Sequence, residues 1–343
     1  MNIRSLVLAS VAALSLAGCN KAAAPEGAAP LKLSGSVDFP GYTGDFDMFE
    51  IDPKNSRLLL AGEESHELEV MDLQSGAIQR RIIGFGVPHS VHYNADTNEV
   101  LVLDGEKPSP VYDAASWTVK RAYTLPAGAD TFGNDPASGH IWLTSGGKDV
   151  PQKESNITEL DPKTGKLLTN LHIDSEHVET MAVEQNGPHI YVNLTDKNTV
   201  AVIDRKSGKI VTQWPIKGAE QNAPMAMDEL NHRLFVVTRK PGMLFILNSE
   251  NGAVVASFAA PLRCDQEIWD AANRRIYVTG GEGYISVIEQ DDADHYREVA
   301  KIPSMDGAKT AILDAANRHL WVAVSPGESG AMGKVLRFDV APR

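Results

Sequence analysis

From Leu31 onward the chain repeats one pattern roughly every 42 residues, and a period of that size restricts the fold more than any other feature. The clearest unit runs from His177 to Ile216. It holds a strand ending in Glu184, a turn, His189-Ile190-Tyr191-Val192-Asn193, a polar loop, Thr199 to Asp204, a Lys206-Ser207-Gly208-Lys209 turn, and Ile210 to Trp214. Four short apolar runs parted by turn residues are four antiparallel strands. The second strand recurs as Arg57-Leu58-Leu59-Leu60, Glu99-Val100-Leu101-Val102, His140-Ile141-Trp142-Leu143, Arg233-Leu234-Phe235-Val236, Arg275-Ile276-Tyr277-Val278 and His319-Leu320-Trp321-Val322. The first strand ends in Asp52, Asn94, Asp135, Glu184, Asp228, Asp270 and Asp314, so units begin near residues 45, 87, 129, 177, 222, 264 and 307.

A four-stranded unit at this period is a propeller blade; a helical solenoid would show a 3.6-residue apolar period, which is absent. The strands read as nearly continuous apolar runs, as expected when each blade is covered on both faces by its neighbours. The seventh unit stops at Val340 without room for a fourth strand. The missing strand stands at the other end, as Leu31 to Phe39, and pairing it into the last blade would close the ring and remove the open seam. The expected fold is therefore all-β, a seven-bladed propeller of four-stranded antiparallel blades over 31–343, with the last blade closed by the N-terminal strand. At 43% hydrophobic residues the chain can bury such a core as one unit.

The N-terminus has a separate logic. Met1 to Arg4 is a short positive start, and Ser5 to Leu16 is an apolar stretch of signal-peptide length, too short to span a bilayer. It closes on Leu16-Ala17-Gly18-Cys19, which resembles the bacterial lipobox. That resemblance implies a signal peptide over 1–18, lipidation of Cys19 and attachment to a membrane through it. Asn20, in place of Asp, favours the outer membrane with the domain facing the periplasm. Residues 20 to 30 carry no large apolar side chain, so 19–30 reads as a lipidated cysteine and flexible tether. With Cys19 lipidated, Cys264 has no disulfide partner, and the fold must hold by packing.

Tyr277-Val278-Thr279-Gly280, leading into Ile285-Ser286-Val287-Ile288, and Tyr191-Val192-Asn193-Leu194, leading into Val200-Ala201-Val202-Ile203, resemble the YVTN-repeat propellers, also called YncE-like proteins. Asn222-Ala223-Pro224-Met225-Ala226-Met227-Asp228-Glu229, Gly280-Gly281-Glu282-Gly283 and Asp292-Ala293-Asp294-His295-Tyr296 look closer to a bacterial lipoprotein subgroup. The resemblance covers the whole mature domain and implies seven blades. It implies little about activity, since related propellers bind proteins, carry quinone or haem cofactors, or act as lactonases and lyases.

In such a ring the first strands line the central channel. Counting back five residues from each first-strand terminator gives Asp47, His89, Asp130, Glu179, Ala223, Asp265 and Lys309, six of the seven ionisable, in a ring at one channel mouth. Loops on the same face add Glu63, Glu64, His66, Asp104, Glu106, Lys148, Asp196, Arg239, Lys240, Glu282 and Glu328. Carboxylates and a His converging from different blades suit a cation, an amine- or guanidinium-bearing ligand, or a divalent metal. The net charge of -13 argues against nucleic acid, whose phosphates need clustered Lys and Arg. No Cys-x-x-Cys-His occurs, so covalent haem is excluded, and no His-Glu-x-x-His, Gly-x-Ser-x-Gly or phosphate-cradling loop is present. His89 and His92, three apart on a strand, should face opposite sides. Cys264 reads as a buried structural thiol. The expectation is a membrane-anchored scaffold that binds a protein or small ligand. Its alternative is a metal-dependent enzyme, lactonase-, lyase- or quinoprotein-like, at the acidic channel mouth.

Overall fold

The computed structural model describes residues 29–147, 150–151, 154–326 and 332–343. The signal segment 1–18, Cys19 and most of the tether, with Lys148 and Glu328, lie outside the described residues. The described chain forms seven four-stranded antiparallel sheets, six of them built from four consecutive strands. In the seventh the order is Leu31–Phe39, Gly333–Val340, His319–Val324, Ala308–Asp314, so the N-terminal strand is the outer strand of the last blade. It runs antiparallel from Leu31↔Val340 to Phe39↔Gly333, with a bulge between Leu33 and Gly35. Phe39 and Tyr42 then pack on Phe46 of blade 1, at ring separations of 5.3 Å and 3.9 Å, so the closing segment also joins the last blade to the first.

The core lies between the sheets. Tyr191, Val200, Val202 and Trp214 of blade 4 pack with Leu234, Val236 and Phe245 of blade 5. Leu59 and Val70 of blade 1 pack with Val91, Val100 and Val102 of blade 2. Apolar burial on both faces is why strands such as Glu99–Asp104 are buried at every position and show no alternation. First strands contact each other between six of the seven pairs of adjacent blades, which makes them the channel wall.

The recurring acidic terminators have a shared mechanism. In blades 1, 5, 6 and 7 an Asp ends the first strand and an Asn follows three residues later. Asp52, Asp228, Asp270 and Asp314 each accept a side-chain amide at 2.7 Å, from Asn55, Asn231, Asn273 and Asn317. The Asp thereby caps the hairpin into the second strand. In blade 4 Glu184 takes the role, accepting from the His189 amide and the Tyr191 hydroxyl, each at 2.8 Å.

In blades 1, 3, 4 and 5 the turn into the fourth strand carries a glycine at positive φ that also docks on the preceding blade. At Gly165, with φ +76, an added Cβ would lie 2.2 Å from the Tyr123 ring of blade 2. Gly139 has a similar φ of +73 and open space around it. Gly165→Ala is therefore expected to cost about 2–4 kcal/mol, backbone strain plus overpacking, while Gly139→Ala costs about 1 kcal/mol from strain alone. Urea unfolding of the two variants checks this, and equal losses would refute the docking role of Gly165.

Candidate functional site

The seven counted positions sit where the innermost strands begin: Phe46–Asp52, Pro88–Asn94, Phe132–Asp135, Val178–Val183, Glu220–Asp228, Glu267–Asp270 and Ala308–Asp314. Pairing to the second strand slips at this end in five blades, between Phe46 and Phe49, Pro88 and Ser90, Val178 and Met181, Asn222 and Met225, and Ala308 and Thr310. Asp47, His89, Glu179, Ala223 and Lys309 all fall inside these slips. A bulge re-aims side chains out of the regular alternation, here at the channel entrance. Asp130 and Asp265 lie just ahead of their strands. Asp47, His89, Asp130, Glu179, Asp265 and Lys309 line one cavity of about 1010 Å³. Ala223 does not reach it: its carbonyl accepts from the Thr180 hydroxyl and the Asn193 amide, both at 2.7 Å.

The charges divide the cavity into two unlike parts. Across blades 4 to 1 they form a compensated chain. His177 Nε2 lies 2.9 Å from Glu179 Oε1, and Arg239 bridges Glu179 at 3.2 Å and Asp265 at 2.5 Å. Lys309 continues the chain to Asp265 at 3.0 Å and Asp45 at 2.6 Å. Burial disfavours the charged form of Glu179, but the His177 hydrogen bond and the Arg239 charge outweigh it and hold its carboxyl down to about 2. Burial likewise opposes the Lys309 cation, yet Asp265 and Asp45 keep it well above the ordinary lysine range.

Blades 1 to 3 are under-compensated. His89 Nδ1 donates to Asp47 Oδ2 at 2.7 Å and lies 3.7 Å from Asp130 Oδ1. Glu63 faces the same group and makes no hydrogen bond or ion pair among the described residues. Three carboxylates thus share one imidazole. Burial and the Asp47 charge push Glu63 up to about 7, and burial with the Asp47 and Glu179 charges pushes Asp130 up to about 8. Burial raises Asp47 too, against the hydrogen bond from His89. Burial works against the His89 cation, but Asp47, Asp130 and Glu63 together raise it to about 10. Gly105 backs the other ring nitrogen: a Cβ there would meet His89 Nε2 at 3.2 Å.

No family model matches the chain. Curated relatives are the uncharacterized protein YncE of Salmonella typhi and that of Salmonella typhimurium (strain LT2), each 26% identical over 194 residues. The match takes in 55% of this chain and 52% of each relative, so the chain spans about half the length of the curated relatives it matches. The chain shares distant homology with YncE. Among solved structures, one titled as the crystal structure of the mitotic checkpoint complex superposes with a TM-score of 0.73 and 18% identity, covering all of both chains. At that identity the likeness establishes the propeller fold alone.

Of the loop residues expected on this face, Glu63, Glu64 and Arg239 line the cavity. Others close the loops instead. Asp104 accepts four backbone amides, from Gly86, Val87, Glu106 and Lys107. Asp196 accepts from the Ser175 hydroxyl and the Glu176 amide, Glu282 from the Leu262 amide, and the His66 ring bonds the Gly86 carbonyl. His89 and His92 do not act together: His92 is half-buried, edge-on against Phe132, and desolvation pushes its ring down to about 4. Cys264 is fully buried, and burial holds its thiol far above the reactive range. Asp45 and His177 were not among the expected residues. Each stands two positions before one that was, just ahead of Phe46–Asp52 and Val178–Val183, where the ladder to the second strand is interrupted.

Proposed function

We propose that this chain is a cell-envelope lipoprotein whose propeller is a binding scaffold, and that its central cavity takes a small cationic ligand bearing an amine or guanidinium group. The observation that carries the ligand class is the group Asp47, Glu63 and Asp130 around the single imidazole of His89. A ligand cation there would replace protons held on carboxyls whose ionisation burial disfavours. A cavity of about 1010 Å³ has room for such a molecule. The Leu16-Ala17-Gly18-Cys19 sequence supports anchoring through Cys19, with Asn20 favouring the outer membrane and a periplasmic domain.

L-arginine amide is a suitable probe because it carries both groups. Titration calorimetry on the full chain should give one site, weakened about tenfold or more by Glu63→Gln, the loss of one ion pair in a partly dry cavity. No heat and no thermal shift at about 10 mM probe would overturn the cavity reading. Palmitate labelling of cells should mark the wild type and not Cys19→Ala, and an unlabelled wild type would overturn the anchor.

A further inference from the structure

We propose that Asp47, Glu63 and His89 form a site for one first-row divalent metal ion, with Zn²⁺ bound more tightly than Mn²⁺ and Ca²⁺ weakly or not at all. The inference rests on the reading of the central cavity as a binding site and names a second occupant class for its under-compensated side. One ligand atom from each of the three side chains lies within 4.8 Å of the other two. An ion holding donors at about 2.0–2.2 Å needs them roughly 3–4 Å apart, so modest side-chain rotation closes the set. His89 Nδ1 and Asp47 Oδ2 are already 2.7 Å apart, joined by a proton where an ion would sit, and Asp130 Oδ1 is 3.7 Å from the same nitrogen.

Asp47 and Glu63 come from the inner strand and a loop of blade 1, His89 from blade 2 and the neighbouring Asp130 from blade 3, so the group is held by three separate sheets. Glu63 is the open member, with no hydrogen bond or ion pair to give up among the described residues. A second feature of the cavity points to an occupant. Ser145 lines it, is 3% exposed, and its hydroxyl has no hydrogen-bond partner among the described residues. It follows Thr144, whose carbonyl accepts the Asp130 amide at 3.0 Å, so the unpaired hydroxyl belongs to the wall beside the acidic group. Buried polar atoms are paired as a rule, and an unpaired one in the wall of a polar cavity calls for a ligand or a held water. An ion with its water ligands would supply such a partner.

The donor chemistry selects the ion. An imidazole among carboxylates suits borderline transition ions over Ca²⁺ or Mg²⁺, and affinity at such a site rises from Mn²⁺ to Zn²⁺. Three or four protein donors leave coordination positions to water or a ligand from the cavity.

Calorimetry on metal-stripped full chain with Zn²⁺, Mn²⁺ and Ca²⁺ tests the assignment. Zn²⁺ should bind one to one, with about tenfold or greater weakening in both Glu63→Gln and His89→Gln, as removal of a metal ligand requires. Lys240→Ala, at a residue that does not line the cavity, should leave Zn²⁺ affinity unchanged. If His89→Gln fails to fold, Glu63→Gln still decides, because Glu63 makes no hydrogen bond or ion pair among the described residues. Absence of one-to-one Zn²⁺ uptake, or uptake unaltered in Glu63→Gln, overturns the site. L-arginine amide binding without Zn²⁺ binding leaves the cavity reading intact while the metal falls; neither binding removes both.

Discussion

Deleting Leu31–Phe39 should abolish cooperative thermal unfolding, whereas a chain beginning at Ala29 should melt like the full protein. The strand looks like linker in sequence, yet it supplies the outer edge of the seventh blade and both ends of its ladder are buried. Leu31 is 2% exposed and Phe39 is fully buried. Losing a buried Leu costs about 2–5 kcal/mol and a buried Phe about 3–5 kcal/mol. Against a typical native stability of about 5–15 kcal/mol, those two side chains alone remove most of the margin. The ladder to Gly333–Val340 is lost as well, and its unpaired amides and carbonyls become an exposed edge that invites association between chains. Pro30 is already tied in, its carbonyl accepting the Ala341 amide at 3.0 Å, so the control must keep Ala29 and Pro30. Circular dichroism melts with gel filtration provide the check. A deletion variant melting within about 2 °C of the full protein would mean that the ring does not depend on this strand.

The same strand shows what kind of information the sequence carries. Closure was legible because a repeat that lacks one strand at its end must find it elsewhere, and only one segment was left unassigned. Blade number, strand order and the acidic terminators were legible for a similar reason: each is local chemistry repeated. The cavity was legible in part. A fixed count back from each terminator found six of the residues that line it, since the blades share one register there. It failed at Ala223, in the blade whose inner strand starts earliest, at Glu220, and whose backbone there is claimed by Thr180 and Asn193. The pairing among the charges was not legible. Which carboxylate meets Arg239 or His89 depends on distances across the channel and on bulges at five strand starts, and neither leaves a mark in the local pattern. The polar loops misled for the opposite reason. Asp104 and Asp196 have the composition of a binding loop, but their carboxylates are used up by backbone amides and, at Asp196, by the Ser175 hydroxyl.

Arg239→Met should destabilise the protein by about 2–4 kcal/mol at neutral pH, below the 3–5 kcal/mol of a fully buried pair because water reaches this one in part. Arg239 is 24% exposed, and its partners Glu179 and Asp265 are 15% and 21% exposed. An exposed pair such as Lys163–Asp96, whose side chains are 48% and 78% exposed, should contribute only about 0–1 kcal/mol. The difference comes from what remains after substitution. Without the guanidinium, Glu179 keeps His177 alone and Asp265 keeps Lys309 alone, and the Cys264 carbonyl loses its donor at 3.2 Å. The chain of charges across blades 4 to 1 is then cut in the middle. Its pH dependence has a definite sign. Glu179 is held at about 2 in the fold against an ordinary value of 4.5, so its stabilisation is present above about 4.5 and lost as pH falls toward 2. Arg239 is one cause of that depression. The gap between wild type and variant should therefore be widest near pH 6–7, about 5–10 °C in melting temperature, and narrow as pH falls from 4.5 toward 2.5. A gap below about 2 °C at pH 7, or one that stays constant down to pH 2.5, would show that these charges line the cavity without holding the blades together.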